Sequence, residues 1–176
     1  MTGTRLDLLM PNLEKFYREQ KNINIIIDII ESKSDLSRRV LDWFVTNYSK
    51  KYIIILNQDN GVTGGGFNVY QNYKLQLKSY SKCNFDPFCR KDKILFYYTD
   101  DKFIQTSCGQ LCFFRWCIQN NILDYVLKNL ETIENDMKMS KIKTKSNKSD
   151  EYKRKSLNAS ASRGISKYKI RYEVTF

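Results

Sequence analysis

The chain has 176 residues, 41% of them apolar and 28% charged, which fits one packed domain with a tail and disfavours a wholly disordered chain or a multidomain enzyme. Histidine is absent, and with it go the Ser-His-Asp and Cys-His arrangements and every histidine-containing metal site. The net charge of +11 is uneven: residues 138–176 hold 12 Lys and Arg against 3 Asp and Glu, whereas residues 1–137 hold 18 against 16.

In chain order, Met1-Thr2-Gly3-Thr4 is not followed by a basic region and an apolar stretch, so no secretory signal is expected. Residues 13–20 and 23–31 read as helical. The run Ile25-Ile26-Ile27-Asp28-Ile29-Ile30 is ambiguous, because β-branched composition favours a strand and short apolar runs do not separate the two states. No apolar run approaches the ~18–20 residues of a membrane span. Ser34-Asp35 offers an N-cap, and Leu36, Val40, Trp43, Phe44 and Tyr48 follow at helical spacing, up to Lys50-Lys51. Residues 52–56 are expected as a strand, and Asn60-Gly61 with Gly64-Gly65-Gly66 as a flexible connection.

From Phe67 onward, Tyr70, Tyr73, Leu77 and Tyr80 share one helical stripe, while Lys74, Lys78 and Lys82 form a second stripe beside it. Pro87 ends that helix. Arg90, Lys91 and Lys93 add positive charge before a strand at 94–98, and Thr99-Asp100-Asp101-Lys102 reads as a hairpin turn into 103–106. Ser107 or a neighbour can cap the last long helix. Its stripe is Leu111, Phe114, Ile118, Ile122, Val126, Leu130, Ile133 and Met137, and Asn120-Asn121 is placed to divide it. Residues 138–167 read as a basic polar linker. In 168–176, Tyr168, Ile170, Tyr172, Val174 and Phe176 alternate with polar residues, the pattern of a half-buried strand.

Several candidate chemistries fail on spacing. The five cysteines, Cys83, Cys89, Cys108, Cys112 and Cys117, give no C-x2-C knuckle, and an odd count without export signals points to reduced thiols packed as small hydrophobes. The glycines at 61–66 lack the Lys-Ser/Thr of a phosphate loop. No strand carries the Asp…Glu-x-Lys pattern of a two-metal nuclease, and no base is identifiable beside a thiol. No cofactor, metal or catalytic residue is therefore expected, and the chain is read as non-enzymatic. Binding chemistry is more legible. Lys74, Lys78, Lys82, Arg90, Lys91 and Lys93 in the core, with Lys141, Lys143, Lys145, Lys148, Lys153, Arg154 and Lys155 in the tail, are the candidates for phosphate contact. The alternative for the core lysines is a solvated basic face, and for Tyr70, Tyr73 and Tyr80 a place in the core instead of a stacking platform.

Four stretches carry a family resemblance: Val40-Leu41-Asp42-Trp43-Phe44-Val45-Thr46-Asn47-Tyr48-Ser49-Lys50-Lys51, Phe67-Asn68-Val69-Tyr70-Gln71-Asn72-Tyr73-Lys74 continuing to Lys82, Phe85-Asp86-Pro87-Phe88-Cys89-Arg90, and Gly109-Gln110-Leu111-Cys112-Phe113-Phe114-Arg115-Trp116. Together with the terminal Ser160-Ala161-Ser162-Arg163-Gly164-Ile165-Ser166-Lys167, they resemble a family of short proteins from nucleocytoplasmic large DNA viruses, with Lys91 where a second arginine is expected. That family has no established activity, so the resemblance assigns no site residue. What it implies is a setting: the viral factory in the host cytoplasm, or the virion.

The expected fold is α+β. A small antiparallel sheet from residues 52–57, 94–98, 103–106 and 168–176 packs against helices, with the last strand returning after the basic linker. The expected organisation is an N-terminal helical segment (1–34), an α+β core (35–137), the linker (138–167) and the docking strand (168–176). The expected function is sequence-independent association with DNA or RNA through tail and helix-face lysines. The alternative is a structural or interaction module of the virion or factory, binding other viral proteins or a second copy by exchange of the terminal strand. No membrane partner is expected.

Overall fold

The isoleucines at 23, 26 and 29 decide the ambiguity at 25–30. At three-residue steps they bury one face of a helix while Asp28 stays exposed, and burial of that face outweighs the β-branched preference for strand. The structure, a computed structural model, describes residues 5–56, 66–80, 84–90, 92–99 and 101–150, with side chains for all of these except 5–7 and 143–150. It divides into two compact units, Met1–Lys138 and Met139–Phe176.

The first unit begins with α1 (Arg5–Tyr17) and α2 (Gln20–Ile30). Ser32 then takes a left-handed turn, and α3 (Arg38–Trp43) starts three residues later than Ser34-Asp35 suggests. Ser37, not Ser34, is its cap: Val40 N–H donates to Ser37 Oγ at 3.2 Å. A π-helical turn, Phe44–Tyr48, leads into α4 (Ser49–Tyr52). Helix thus reaches Tyr52, and the strand expected at 52–56 shrinks to β1 (Ile55–Leu56), because Ile53 closes α4 in the left-handed conformation, φ 49° and ψ 62°.

β1 pairs antiparallel with β2 (Phe67–Asn68), Leu56 opposite Phe67. Gly66 allows this approach, since a Cβ there would collide with Cγ2 of Ile55. α5 (Val69–Tyr80) follows. β3 (Lys93–Thr99) and β4 (Lys102–Ser107) form the expected hairpin, with an irregularity between Tyr97 and Thr99. The single sheet expected from these strands is corrected by the structure. Among the described residues there are two separate two-stranded sheets, because β1 finds its partner in β2, the strand that follows it in sequence, and not in the hairpin. The α+β class stands, with both sheets packed against helices.

Ser107 caps α6 (Cys108–Gln119), accepting from Gln110 N–H at 3.2 Å. The long helix is divided where the asparagines stand. Asn121 is left-handed at φ 54°, and α7 (Ile122–Lys128) gives way at Asn129 to α8 (Leu130–Asp150). Asparagine tolerates that conformation better than other chiral residues. Helix α6 is the central rod of the core: Leu111, Phe113, Phe114 and Cys117 are fully buried. The Tyr17 hydroxyl donates to the Leu111 carbonyl at 2.7 Å, tying α1 to it. Residues 13–29 share one core with 36–133.

Residues 138–150, expected as linker, are helical as the continuation of α8. Once a turn is nucleated, Lys, Met and Ser extend it at one hydrogen bond per residue without needing a buried face. Met139 and Ile142 are accordingly exposed. The strand expected at 168–176 lies outside the described residues.

Candidate nucleic-acid interface

Helix α5 carries the lysine stripe, and its own sequence orients it. Asn68 caps its first turn, accepting from Gln71 N–H at 3.0 Å. Val69 and Tyr73 turn inward and are buried. Tyr73 packs on Phe85 and Trp116 at ring-centroid distances of 6.0 and 6.1 Å, and Tyr80 stacks on Phe85 at 5.7 Å. Tyr73 therefore belongs to the core, and Tyr80 packs partly buried against it. Tyr70 stands at its edge, half-buried.

With Tyr73 inward, Lys74 and Lys78 are left exposed on one flank of the helix. Lys50, from α4, joins them: its ammonium lies 5.8 Å from the Tyr70 ring centroid and that of Lys74 lies 5.9 Å from it. The ring gives both cations a favourable quadrupole contact. None of these three lysines forms an ion pair with another described residue. Their charge is open to an incoming polyanion.

Beside this flank is a cavity of about 380 Å³, lined by Asp42, Thr46, Tyr70, Tyr73, Lys74, Leu77, Phe85, Asp86 and Arg90. Arg90 is less available than the lysines. Its Nε sits 3.5 Å from Asp86 Oδ2, and its guanidinium lies 4.7 Å from the Phe88 ring centroid. Burial, then the carboxylates of Asp42 and Asp86, push the Tyr73 hydroxyl up to about 12, so it remains a protonated donor near neutral pH.

The turn carrying Arg90 is fixed from α6. Gln110, fully buried, donates from Nε2 to the Pro87 carbonyl at 2.8 Å and accepts from Thr106 Oγ1 at 2.9 Å. Asp86 N–H donates to the Gly109 carbonyl at 3.3 Å. Two of the stretches that carry the resemblance, Phe85-Asp86-Pro87 and Gly109-Gln110, are thus one structural joint.

The remaining candidates divide by position. Lys93 is exposed at the start of β3 and does not line the cavity. Lys141 is exposed on α8. Lys143, Lys145 and Lys148 lie on the backbone of that helix, while Lys82, Lys91, Lys153, Arg154 and Lys155 fall outside the described residues. Lys50 is missed in the sequence, where it reads as an ordinary helix-terminal charge. Only the approach of α4 to α5 brings it to Tyr70. Cys108, Cys112 and Cys117 are buried and free, and Cys89 is free and half-buried. Among the described residues no three acidic or thiol groups gather as a metal site, and no helix is long and apolar enough to cross a membrane.

A family model described as a family of unknown function, DUF7197, matches residues 1–171. The chain is also similar to uncharacterized protein L507 of Acanthamoeba polyphaga mimivirus, 43% identical over 152 residues, which are 84% of this chain and 59% of that protein. It thus spans well under two-thirds of its relative's length. No solved structure matches. The relative comes from a giant virus, in agreement with the resemblance in the sequence. Matched along almost its whole length, the chain belongs to the DUF7197 family.

Proposed function

We propose that the chain is a non-enzymatic viral protein that associates with DNA or RNA through the phosphate backbone, without reading sequence. The observation that carries this is the trio Lys50, Lys74 and Lys78, exposed and without an ion pair among the described residues, with Lys50 and Lys74 against the Tyr70 ring and Lys78 one turn further along the same flank of α5. Exposed ammonium groups on such a surface displace condensed counterions from nucleic acid, and this is the source of sequence-independent affinity. The sequence beyond Met137, with its surplus of nine positive charges, supplies a second basic segment. Lys141, Lys143, Lys145, Lys148, Lys153, Arg154 and Lys155 belong to it. The setting proposed is the viral factory in the host cytoplasm, or the virion.

The test is charge reversal. The double variant Lys74→Glu, Lys78→Glu should weaken binding to duplex DNA by at least about tenfold relative to Lys33→Glu, Lys128→Glu, which changes net charge equally outside the α5 cluster. Equal loss in both variants would mean that overall charge, not this surface, governs binding.

A second reading has its own support. On the outer face of the hairpin, Leu95, Tyr97 and Phe103 are each more than half exposed, and Tyr97 meets Phe103 across the strands at 5.4 Å between ring centroids. An exposed apolar face of this kind suits a protein partner. If Tyr97→Ser with Phe103→Ser abolishes self-association or recovery of viral proteins while DNA binding persists, the interaction module becomes the better account.

A further inference from the structure

Helix α5 has a second flank, and it is unlike the first. At 100° per residue, Asn72 and Gln76 lie on the side of the buried stripe opposite Lys74 and Lys78. They face a cavity of about 370 Å³, within the range of small-molecule sites. Its walls come from α1, β2, α5 and α6, and its polar groups are almost all neutral: Asn72, Gln76, Gln119 and Asn120. Among the described residues of the lining, Arg115 is the single charged side chain and none is a carboxylate. Two other cavities among the described residues each hold at least one, Glu14 in one and Asp42 with Asp86 in the other.

The amides are ordered. Asn72 Oδ1 accepts from Trp116 Nε1 at 2.8 Å and from Gln76 Nε2 at 3.3 Å. With that oxygen occupied twice, Asn72 is left with its Nδ2 hydrogens. Gln76 keeps its Oε1 acceptor and a second Nε2 hydrogen. No described residue takes these groups. A donor beside an acceptor on a planar amide is the arrangement that pairs with a nucleobase edge. Phe67, Tyr80 and Trp116 supply aromatic surface on which a base can lie. A hydrogen bond with Cys108, then burial, push up the thiol of Cys112, also in the lining.

We propose that this cavity binds a nucleobase bearing a phosphate, with Gln76 and Asn72 pairing to the base edge and Arg115 meeting the phosphate. Two sources share that chemistry, a free nucleotide and an unpaired base of a single strand. The site goes beyond the backbone contact proposed for the lysine flank, and it recognises a different part of the same kind of molecule.

Of the two tryptophans in the chain, Trp116 lines the cavity. In a Trp43→Phe background its emission therefore reports the cavity alone. That protein is titrated with AMP, GMP, CMP, UMP and adenosine, and with ten-residue oligo(dA) and oligo(dT), at about 0.5 M salt to suppress backbone contacts. Saturable quenching is expected, weakened at least tenfold by Gln76→Leu and unaffected by Lys74→Ala. Arg115→Gln should erase the preference for AMP over adenosine. Quenching by mononucleotides identifies the free nucleotide as the source. Quenching by oligonucleotides only, still dependent on Gln76, identifies the strand. No saturable response to any probe overturns the proposal, as does a response that ignores Gln76→Leu. An oligonucleotide response that follows Lys74→Ala instead overturns the cavity while leaving the lysine surface standing. If Trp43→Phe does not fold, saturation-transfer NMR of AMP and of the oligonucleotides on the unaltered chain, with Gln76→Leu as the comparison, separates the same outcomes.

Discussion

Asp136 on α8 gathers three donors from the segment that ends α3 and forms α4. Trp43 Nε1 donates at 3.1 Å and the Tyr52 hydroxyl at 3.2 Å, and Lys51 forms both an ion pair and a hydrogen bond with it. The carboxylate is only 9% exposed. Burial alone would raise its pKa, but the hydrogen bonds from Lys51 and Trp43 and the charge of Lys51 together hold it below the ordinary 3.8. A group whose folded pKa is depressed contributes stability that is fully present above its unfolded value and is lost as pH falls through the folded one. Asp136→Asn should therefore cost about 1.5–3 kcal/mol at pH 7, the range for hydrogen bonds to a charged group. The cost should shrink below about pH 4, where the unfolded chain's carboxylate takes up its proton first, and be lost as pH falls through the depressed native pKa. Urea unfolding of both proteins at pH 7 and pH 3 measures this, and equal differences at the two pH values would contradict it.

At the scale of elements, the end of α4 is the strained point. Ile53 is β-branched, 66% exposed and held at φ 49°, where chiral side chains crowd the following carbonyl. Ile53→Gly removes that crowding and gives up little buried surface. After the entropy of glycine in the unfolded chain is deducted, a gain of about 0.5–1 kcal/mol is expected from the denaturation midpoint. The helices are legible where a periodic apolar stripe meets a buried face, as at Leu111, Phe114, Ile118 and Ile122, and so is the hairpin that pairs Thr99 with Lys102. The sheet arrangement is not, because pairing between short strands is decided by which neighbour the loop returns, a non-local fact that the pattern at 52–56 does not contain. Likewise Lys74 and Lys78 can be read from four-residue spacing, whereas Lys50 and the amide cavity depend on α4 and α6 meeting α5. Residues 138–150 mislead through composition: a polar run says that no face is buried, not that no helix forms.

Across the whole molecule, α5 separates two chemistries. One flank carries open cations that suit phosphates, and the other carries neutral amides that suit bases. On the proposed function, the first flank, with the basic sequence beyond Met137, binds nucleic acid by displacing counterions. The most direct measurement is the salt dependence of duplex-DNA affinity, taken by fluorescence anisotropy from about 50 to 300 mM salt. With roughly six phosphates neutralised, a log–log slope near about −5 is expected. Replacing Lys50, Lys74 and Lys78 together with alanine should make it shallower by about 2–3 units, and removing residues 151–167 should flatten it further. No complex at about 50 mM salt, or a slope the triple variant leaves unchanged, would contradict the claim.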